Sequence, residues 1–311
     1  MDHHCRDLRQ ALHGRCEIDI RSCGKKWEQF NEVVASIGRT YDRVYVAGEL
    51  LAQYVYKAVA EPQRFKLLIG VHSFFLWDHG SSVGTNVARG SQNPQFLSAL
   101  RPFSAVAVIC ESLRAAFPEI DPHLTHYGVN TEIFHPPARR RPEPRRLRVG
   151  WVGVLLKHKN HGLFLEIRER LAGVADCVDV LVSPDGYYSA DVLSRDGMNR
   201  FYNDLDVLVV TADSEGGPLP PLEASASGVP VITPAIGCMT EFVRHGIDGY
   251  VVDSYEAGEY VRLVRLLDNN REILRQMRDA CIEKAFGPWN LKAKAEAWFE
   301  FLTSSGAASV A

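Results

Sequence analysis

Two glutamates stand eight positions apart on either side of a turn rich in glycine and proline. The segment is SEGGPLPPLEASASGVPVI, residues 214–232, and the glutamates are Glu215 and Glu223. An ionised carboxylate only accepts hydrogen bonds, so it suits paired hydroxyls such as those of a ribose or of another sugar. The spacing is compatible with a site for a hydroxyl-rich ligand. On spacing alone, the alternative is equally good: Glu223 complements a helix dipole and Glu215 lies on an exposed loop.

Backbone N–H groups between the glutamates add a second kind of binding. Glycines let a ligand approach the main chain, whereas Pro218 and the two prolines that follow it have no N–H. The stretch PLEASAS reads as a short helix with Pro221 at its first position and Glu223 in its first turn. The N-terminus of a helix binds anions, and phosphate is a natural guest there. The available donors are Gly216, Gly217, Leu219 and Leu222. Together with the carboxylates, they would bracket a nucleotide sugar.

Short apolar runs alternate with helix-like stretches along the chain, which is the pattern of parallel sheets covered by helices. Several runs are apolar at consecutive positions, and this indicates burial on both faces. The strand candidates are CEIDIRS, DRVYVAG, KLLIGVH, AVAVIC and LTHYGV in the first half, and RLRVGWVG, CVDVLVS, DVLVVTA, VPVIT and GYVVD in the second. The sequence predicts an α/β fold of two doubly wound, Rossmann-like domains with a ligand at the carboxyl ends of the strands.

The two halves are separated by a segment that cannot pack as core. Residues 134–149 contain four prolines and six arginines, which do not continue a helix. A solvated linker is the simpler interpretation, although the arginines could contact phosphates of an acceptor. We assign residues 1–138 to an N-terminal domain, 139–146 to the linker, 147–285 to a C-terminal domain and 286–311 to a C-terminal helix that crosses back to the first domain.

Composition narrows the class of protein. The 311 residues are 46% hydrophobic and 23% charged, which is ordinary for a globular protein. A net charge of −3 gives no bulk attraction to nucleic acid or acidic membranes. Seven cysteines without close pairing suit a reducing compartment, and no apolar run reaches about 18 residues. We therefore expect a soluble, cytoplasmic protein.

Three other classes of site do not fit the sequence. No G-x-G-x-x-G or Walker-type loop is present, so dinucleotide oxidoreductases and P-loop ATPases lack their phosphate cradle. Histidines and cysteines near the N-terminus suggest zinc, but their spacings match no common pair of ligand motifs. These residues are His3, His4, Cys5, His13, Cys16 and Cys23. We predict no metal site.

The segment EGGPLPPLEASASGVPVIT resembles the E-x7-E motif of the retaining glycosyltransferases of family 4. Four further segments follow the order of that family: GVNTEIFHP, RVGWVGVLLKHKNHGLFLEI, FYNDLDVLVVTADSEG and GCMTEFVRHGIDGYVVD. The resemblance covers roughly residues 105–253. It implies the GT-B architecture, in which two Rossmann-like domains face each other across a cleft, with the donor mainly on the second and the acceptor mainly on the first.

The resemblance also implies a reaction. A sugar would move from a nucleoside-diphosphate sugar to an acceptor hydroxyl with retention at the anomeric carbon, without a cofactor or an obligatory metal. The activity would be hexosyltransferase-like. The acceptor class stays open between a glycan, a lipid-linked glycan, a small molecule and DNA. Negative charge grows on the leaving diphosphate, and a lysine with oriented N–H donors stabilises that charge.

The family motif assigns roles to particular residues. Glu223 would hold the ribose hydroxyls, Glu215 would face the donor sugar, and Lys159 would bind phosphate. Glu215, Lys159 and His72 are the candidate catalytic residues. The nucleotide-sugar site as a whole comprises Gly153, Lys157, Lys159, Glu215, Gly216, Gly217, Pro218, Leu219 and Glu223.

A strand in the first half ends at IGVHSFFLWDHG, residues 69–80, and supplies candidates for the acceptor side. His72 matches a family histidine that faces the donor sugar, although a histidine at a strand end is otherwise more often structural. Trp77, Asp78 and His79 follow on a loop and are the candidate acceptor residues. Asp78 or His79 could deprotonate the acceptor, but the leaving phosphate can itself take that proton.

The chain departs from the family in two places. Val154 stands where the family has an arginine in its phosphate loop, and Lys157 or His158 can replace that cation. The first half also contains fewer elements than the family has. These departures keep two alternatives open: a transferase of the same fold that glycosylates modified bases in phage DNA, and a protein that binds a nucleotide sugar without transferring it.

Overall fold

In the computed structural model, two compact units divide the chain, and each contains a parallel sheet. One unit is Met1–Tyr127 with Lys294–Ala311, and the other is Gly128–Ala293. The predicted α/β class with two Rossmann-like sheets is confirmed. The structure describes residues 2–20, 41–47, 67–71, 100, 103–138, 146–181 and 194–304.

The sheet of the first unit has the order β1-β2-β3-β4, and all neighbours are parallel. The second strand is buried at all five positions, as its uninterrupted apolar run predicts. The strands are β1 (Val44–Ala47), β2 (Leu67–Val71), β3 (Ala105–Val108) and β4 (His123–Leu124), and the helices are α1 (Asp2–Ala11) and α2 (Glu111–Ala116).

The beginning of the chain is helical, which the sequence reading missed. His4, Leu8 and Leu12 are buried, and their spacing of four places them on one helical face. The predicted strand CEIDIRS begins after this helix, but its described residues, 16–20, are irregular. Its apolar positions alternate with charged ones over too short a stretch to bury a face of the sheet.

The sheet of the second unit has the order β6-β5-β7-β8-β9, again with parallel neighbours only. All five predicted strands of this half are present, with shifted ends. The strands are β5 (Leu147–Gly153), β6 (Ala175–Leu181), β7 (Val207–Val209), β8 (Val231–Pro234) and β9 (Gly249–Val252). The first of them, β5, lies between β6 and β7, so the strand order changes direction at this strand.

Helices pack around this second sheet. The predicted helix NHGLFLEIRERLAG is confirmed, and its apolar residues Leu163, Phe164 and Ile167 are buried against the sheet. The helices are α3 (His161–Arg170), α4 (Arg195–Asn203), α5 (Leu219–Ala226), α6 (Met239–Phe242), α7 (Ala257–Asn269), α8 (Arg271–Phe286) and α9 (Leu291–Thr303). No helix within the described ranges has the length and apolarity to cross a membrane.

The boundary between the units lies between Tyr127 and Gly128, earlier than the linker that the sequence predicts. The Val129 N–H donates to the Trp289 carbonyl, and the Leu291 N–H donates to the Val129 carbonyl, both at 2.9 Å. A Cβ at Gly128 would lie 2.6 Å from the Leu291 Cα, so only glycine permits this approach. These contacts bind the segment after Gly128 to the second unit.

The last helix changes unit along its length. From Lys294 on, it belongs to the first unit. The Trp298 Nε1–H donates to the His126 carbonyl at 3.0 Å, and the rings of Trp298 and Phe301 contact Tyr45 edge to face. Burial of these aromatic rings accounts for the attachment of the chain's end to the first sheet.

Candidate functional site

Two loops meet where the strand order of the second sheet changes direction. One follows β5 and contains Lys157 and Lys159, and the other follows β7 and contains Glu215. Since β5 and β7 are parallel neighbours, their carboxyl ends lie at the same edge of the sheet. Ligands of doubly wound sheets bind in the crevice at such a switch point. The predicted site residues of both loops are therefore brought to one place.

Hydrogen bonds tie the first loop to the second. Lys157–Lys159 form a short 3-10 turn. The Thr211 hydroxyl accepts from the Trp151 Nε1–H and donates to the Lys159 carbonyl, both at 2.9 Å. The Asp213 N–H donates to the His158 carbonyl at 2.8 Å. Sequence reasoning missed Thr211, whose hydroxyl fixes the backbone of the predicted phosphate lysine.

Gly153 ends β5, and the indole of Trp151 lies against it. A Cβ at Gly153 would be 2.6 Å from the nearest atom of this ring. The ring itself is buried in the core of the unit. Gly153 thus makes room for a core side chain, which is a packing role in addition to the phosphate-loop role that the sequence predicts.

Lys159 and Glu215, two of the predicted catalytic residues, form an ion pair. The Lys159 Nζ donates to the Glu215 Oε1, and the side chains are 23% and 15% exposed. Solvent screens the attraction between charges shielded to this degree less than it screens a surface pair. The structure therefore places the lysine expected to bind phosphate against the carboxylate expected to face the sugar.

The second glutamate, Glu223, is buried in the second turn of α5. The helix begins at Leu219, so Pro220 and Pro221 occupy its first turn, two residues earlier than the sequence predicts. Prolines are tolerated there because N–H groups of a first helical turn have no partner in the helix. Glu223 is 7% exposed, and its Oε2 accepts from the Tyr202 hydroxyl at 2.9 Å. The expectation of Glu223 in the first turn is wrong.

Tyr202 is a site residue that the sequence reading missed. It lies on α4, is fully buried, and its ring contacts that of Phe134. The signal was available, since Met198 and Tyr202 are spaced by four on the buried face of a helix just before β7. A tyrosine buried to this extent needs a partner for its hydroxyl, and an acidic side chain nearby is a natural one.

A third loop, after β8, supports the turn between the two glutamates. The Cys238 N–H donates to the Gly216 carbonyl at 2.8 Å. Gly237 has a positive φ of 48°. A Cβ there would lie 2.2 Å from the backbone carbonyl oxygen of Gly216 and 2.3 Å from that of Glu215. Only glycine therefore permits this packing. The adjoining helix α5 begins with Pro218 as its N-cap and has no side-chain cap.

Lys157 and His158, the two candidates to replace the arginine absent at Val154, differ in their surroundings. Burial lowers the pKa of His158, an effect that the nearby Glu215 charge opposes and the Lys159 charge reinforces. His158 is therefore neutral at pH 7. Burial raises the pKa of Asp213, and the charge of Lys157 acts in the opposite direction. Lys157 is exposed, whereas His158 is partly buried.

The candidates on the acceptor side are not among the residues that the structure describes. His72, Trp77, Asp78 and His79 lie outside the described residues, and β2 ends one position before His72. Within the described ranges, no group of three or more histidine, cysteine, aspartate or glutamate side chains is placed to hold a metal ion.

The second unit contains a segment similar to a known family. Residues 192–286 match the family model described as Glycosyl transferases group 1. This segment includes both Glu215 and Glu223. Among curated proteins, the D-inositol 3-phosphate glycosyltransferase of Mycobacterium sp. (strain KMS) is 28% identical over 187 residues, a match that covers 52% of this chain and 42% of that protein. The chain thus spans less than half the length of this relative.

Solved structures with a similar fold include one protein from Thermosynechococcus elongatus and one from Anabaena. Sucrose-phosphate synthase from Thermosynechococcus elongatus superposes with a TM-score of 0.67 at 18% identity, covering 87% of this chain and 76% of that one. HepE of Anabaena, in complex with UDP-glucose, superposes with a TM-score of 0.66 at 15% identity, covering 96% and 88%. The fold is that of the GT-B glycosyltransferases, as the motif resemblance implied.

Proposed function

We propose that this protein is a glycosyltransferase that moves a hexose-like sugar from a nucleoside-diphosphate sugar to an acceptor hydroxyl, with retention at the anomeric carbon. The observation that carries the proposal is the meeting of Lys159, Glu215 and the start of α5 at the switch point of the second sheet. A switch point with cationic side chains and a helix N-terminus suits a diphosphate. The match to glycosyl transferases group 1 supports the same reading.

The diphosphate would lie between the first loop and the start of α5. Lys157 and Lys159 would neutralise its charge, and the N–H groups of Gly216, Gly217 and Leu219 would donate to its oxygens. As the bond to the sugar breaks, charge builds up on the leaving phosphate, and these groups stabilise it without rearranging. Because the lysines supply positive charge, we propose that no metal is obligatory.

The ribose would bind at Glu223. Its carboxylate accepts from Tyr202 through one oxygen, and a carboxylate has lone pairs for further donors. The two ribose hydroxyls are such donors. Burial strengthens these hydrogen bonds, since little water competes for them. Glu215 would accept from hydroxyls of the donor sugar in the same manner.

The reaction exchanges one bond at the anomeric carbon. The bond between that carbon and the diphosphate oxygen breaks, and the acceptor oxygen bonds to the same face. The proton of the acceptor hydroxyl passes to an oxygen of the leaving phosphate, so no separate base is required. The nucleoside diphosphate then leaves. The described cysteines are free thiols, which agrees with the cytoplasmic location that we propose.

A thermal-shift panel tests the proposal. The ligands are UDP, GDP and ADP, each with its glucose or mannose derivative, with and without EDTA. One nucleotide is expected to raise the melting temperature, since a ligand that binds only the folded state stabilises it. UDP-glucose is the first choice because HepE, of similar fold, was solved with it. Nuclear magnetic resonance of the product then reports the anomeric configuration.

Glu223→Ala is the variant that tests the site. We expect nucleotide affinity to fall by about tenfold or more, because the variant removes the partner of the ribose hydroxyls. Equal affinity in the variant and the wild type would contradict the assignment. Binding of a donor without turnover on any acceptor would favour the non-catalytic alternative. Salt-sensitive transfer to DNA, absent with small acceptors, would favour the transferase that acts on phage DNA.

A further inference from the structure

The ion pair of Lys159 and Glu215 joins two groups that the ligand would need separately. A diphosphate requires the ammonium group of Lys159, and the hydroxyls of a sugar require the carboxylate of Glu215. In the chain without ligand, each group has the other as its partner. Binding at this site therefore means that both side chains exchange partners.

The backbone on both sides of the pair is held in place. The Thr211 hydroxyl donates to the Lys159 carbonyl at 2.9 Å, and the Lys159 N–H donates to the Leu156 carbonyl at 3.0 Å. On the other side, the Cys238 N–H donates to the Gly216 carbonyl, next to Glu215. The exchange of partners consequently takes place through the side chains, over a backbone that the fold has already fixed.

The surroundings make an unpaired charge costly at this position. Burial lowers the pKa of His158 and raises that of Asp213, which shows that charged forms are disfavoured around the pair. His158, being neutral at pH 7, brings no positive charge to Glu215 when Lys159 turns away. Lys157 is exposed, and its charge acts on Asp213.

We propose that this pair makes the site prefer a nucleotide sugar to the nucleoside diphosphate that remains after transfer; the inference rests on the proposed function. A nucleoside diphosphate would take Lys159 and leave the largely buried Glu215 without its cation, next to added negative charge. Breaking a shielded pair on one side only is unfavourable. A nucleotide sugar would occupy Lys159 with phosphate and also donate sugar hydroxyls to Glu215, so neither group loses its partner.

This preference gives Glu215 a second role besides contact with the donor sugar. Once the sugar has moved to the acceptor, the hydroxyls that satisfied Glu215 leave with it. Glu215 then competes with the diphosphate for Lys159, and re-forming the pair favours release of the product. The residue thus determines specificity between substrate and product.

Isothermal titration calorimetry of the whole chain with UDP and with UDP-glucose tests this inference. Glu215→Gln keeps the size of the side chain and removes its charge. We expect this variant to bind UDP at least fivefold more tightly than the wild type and UDP-glucose no more tightly. Glu215→Ala removes the same charge and is expected to give the same gain for UDP. If UDP does not bind to the wild type, GDP with GDP-mannose and ADP with ADP-glucose replace this pair of ligands.

Glu166→Gln is the matched control. Glu166 pairs with Arg170 on α3 of the same unit, but both side chains are about half exposed. Its loss is expected to change neither affinity. Unchanged or weaker binding of UDP in both Glu215 variants would overturn the exchange of partners and leave the proposed function standing. A wild-type chain that binds none of the three pairs of ligands would overturn the function and the exchange together.

Discussion

The Tyr202 hydroxyl contacts Glu223, the residue that we propose to hold the ribose. Because it donates to one oxygen of Glu223, it restricts the orientation of that carboxylate. Tyr202→Phe keeps the ring and removes this donor. We expect the preference for UDP over 2′-deoxy-UDP, measured as the ratio of their dissociation constants, to fall by about fivefold, the effect of one hydrogen bond.

Tyr260→Phe is the control for that variant. Tyr260 is also fully buried in the second unit, and its hydroxyl donates to the Val210 carbonyl at 3.2 Å. Both variants lose a buried hydrogen bond, so both are expected to lower the free energy of unfolding by about 1 kcal/mol. Only Tyr202→Phe is expected to alter the discrimination between ribose and deoxyribose. An equal ratio in the two variants would assign Tyr202 to packing alone.

Lys157 is expected to supply the charge that the family's arginine supplies elsewhere. Lys157→Met should therefore weaken binding of a nucleoside diphosphate by about tenfold, since a charged hydrogen bond contributes roughly 1.5–3 kcal/mol. Adding Val154→Arg to this variant should restore the affinity. His158→Gln should leave it unchanged at pH 7.5, because the histidine is already neutral there. Titration calorimetry of the wild type, the two single variants and the double variant measures these affinities. If the double variant binds as weakly as Lys157→Met alone, an arginine at position 154 does not replace Lys157.

The loop after β8 positions the turn between the glutamates, and Gly237 permits the close contact between them. Gly237→Ala would place a Cβ 2.2 Å from the Gly216 oxygen, so the turn must move. We expect lower nucleotide affinity and a loss of stability, seen by calorimetry and by chemical denaturation. Gly246→Ala is a close control, because Gly246 also has a positive φ but no atom within 4 Å of the added Cβ. It should cost about 1–2 kcal/mol of stability for the backbone conformation alone and leave the affinity intact.

Several of these elements could be predicted from the sequence, but some of the contacts between them could not. Several strands of the second sheet were predictable because they are apolar at consecutive positions, and α3 was predictable from the spacing of its buried residues. The motif predicts Glu215 and Lys159 as site residues, and the structure places them in contact. Their pairing, in contrast, depends on how two loops 56 positions apart in the chain pack at one edge of the sheet. Thr211 and Gly237 act through such packing as well, and no local pattern marks them, whereas the helical spacing marks Tyr202 as buried but does not show its contact with Glu223.

For the molecule as a whole, the division into units assigns the candidate site to one of them. All the described site residues belong to Gly128–Ala293. This unit has a core of its own, built on β5 and the helices α3, α7 and α8. Its two ends lie side by side, because Val129 forms hydrogen bonds with Trp289 and Leu291. A unit with its own core and adjacent ends has the properties of an independently folding domain.

A fragment of residues 128–293 is therefore expected to fold and to bind a nucleoside diphosphate within about threefold of the affinity of the whole chain, a difference below 1 kcal/mol. It should not transfer sugar, because it lacks the first unit and the acceptor residues expected there. Circular dichroism, titration calorimetry and a donor-consumption assay measure these three properties. If the fragment folds but does not bind a nucleotide that the whole chain binds, the first unit contributes to the donor site. In that case, Glu215 and Glu223 would form only part of the donor site.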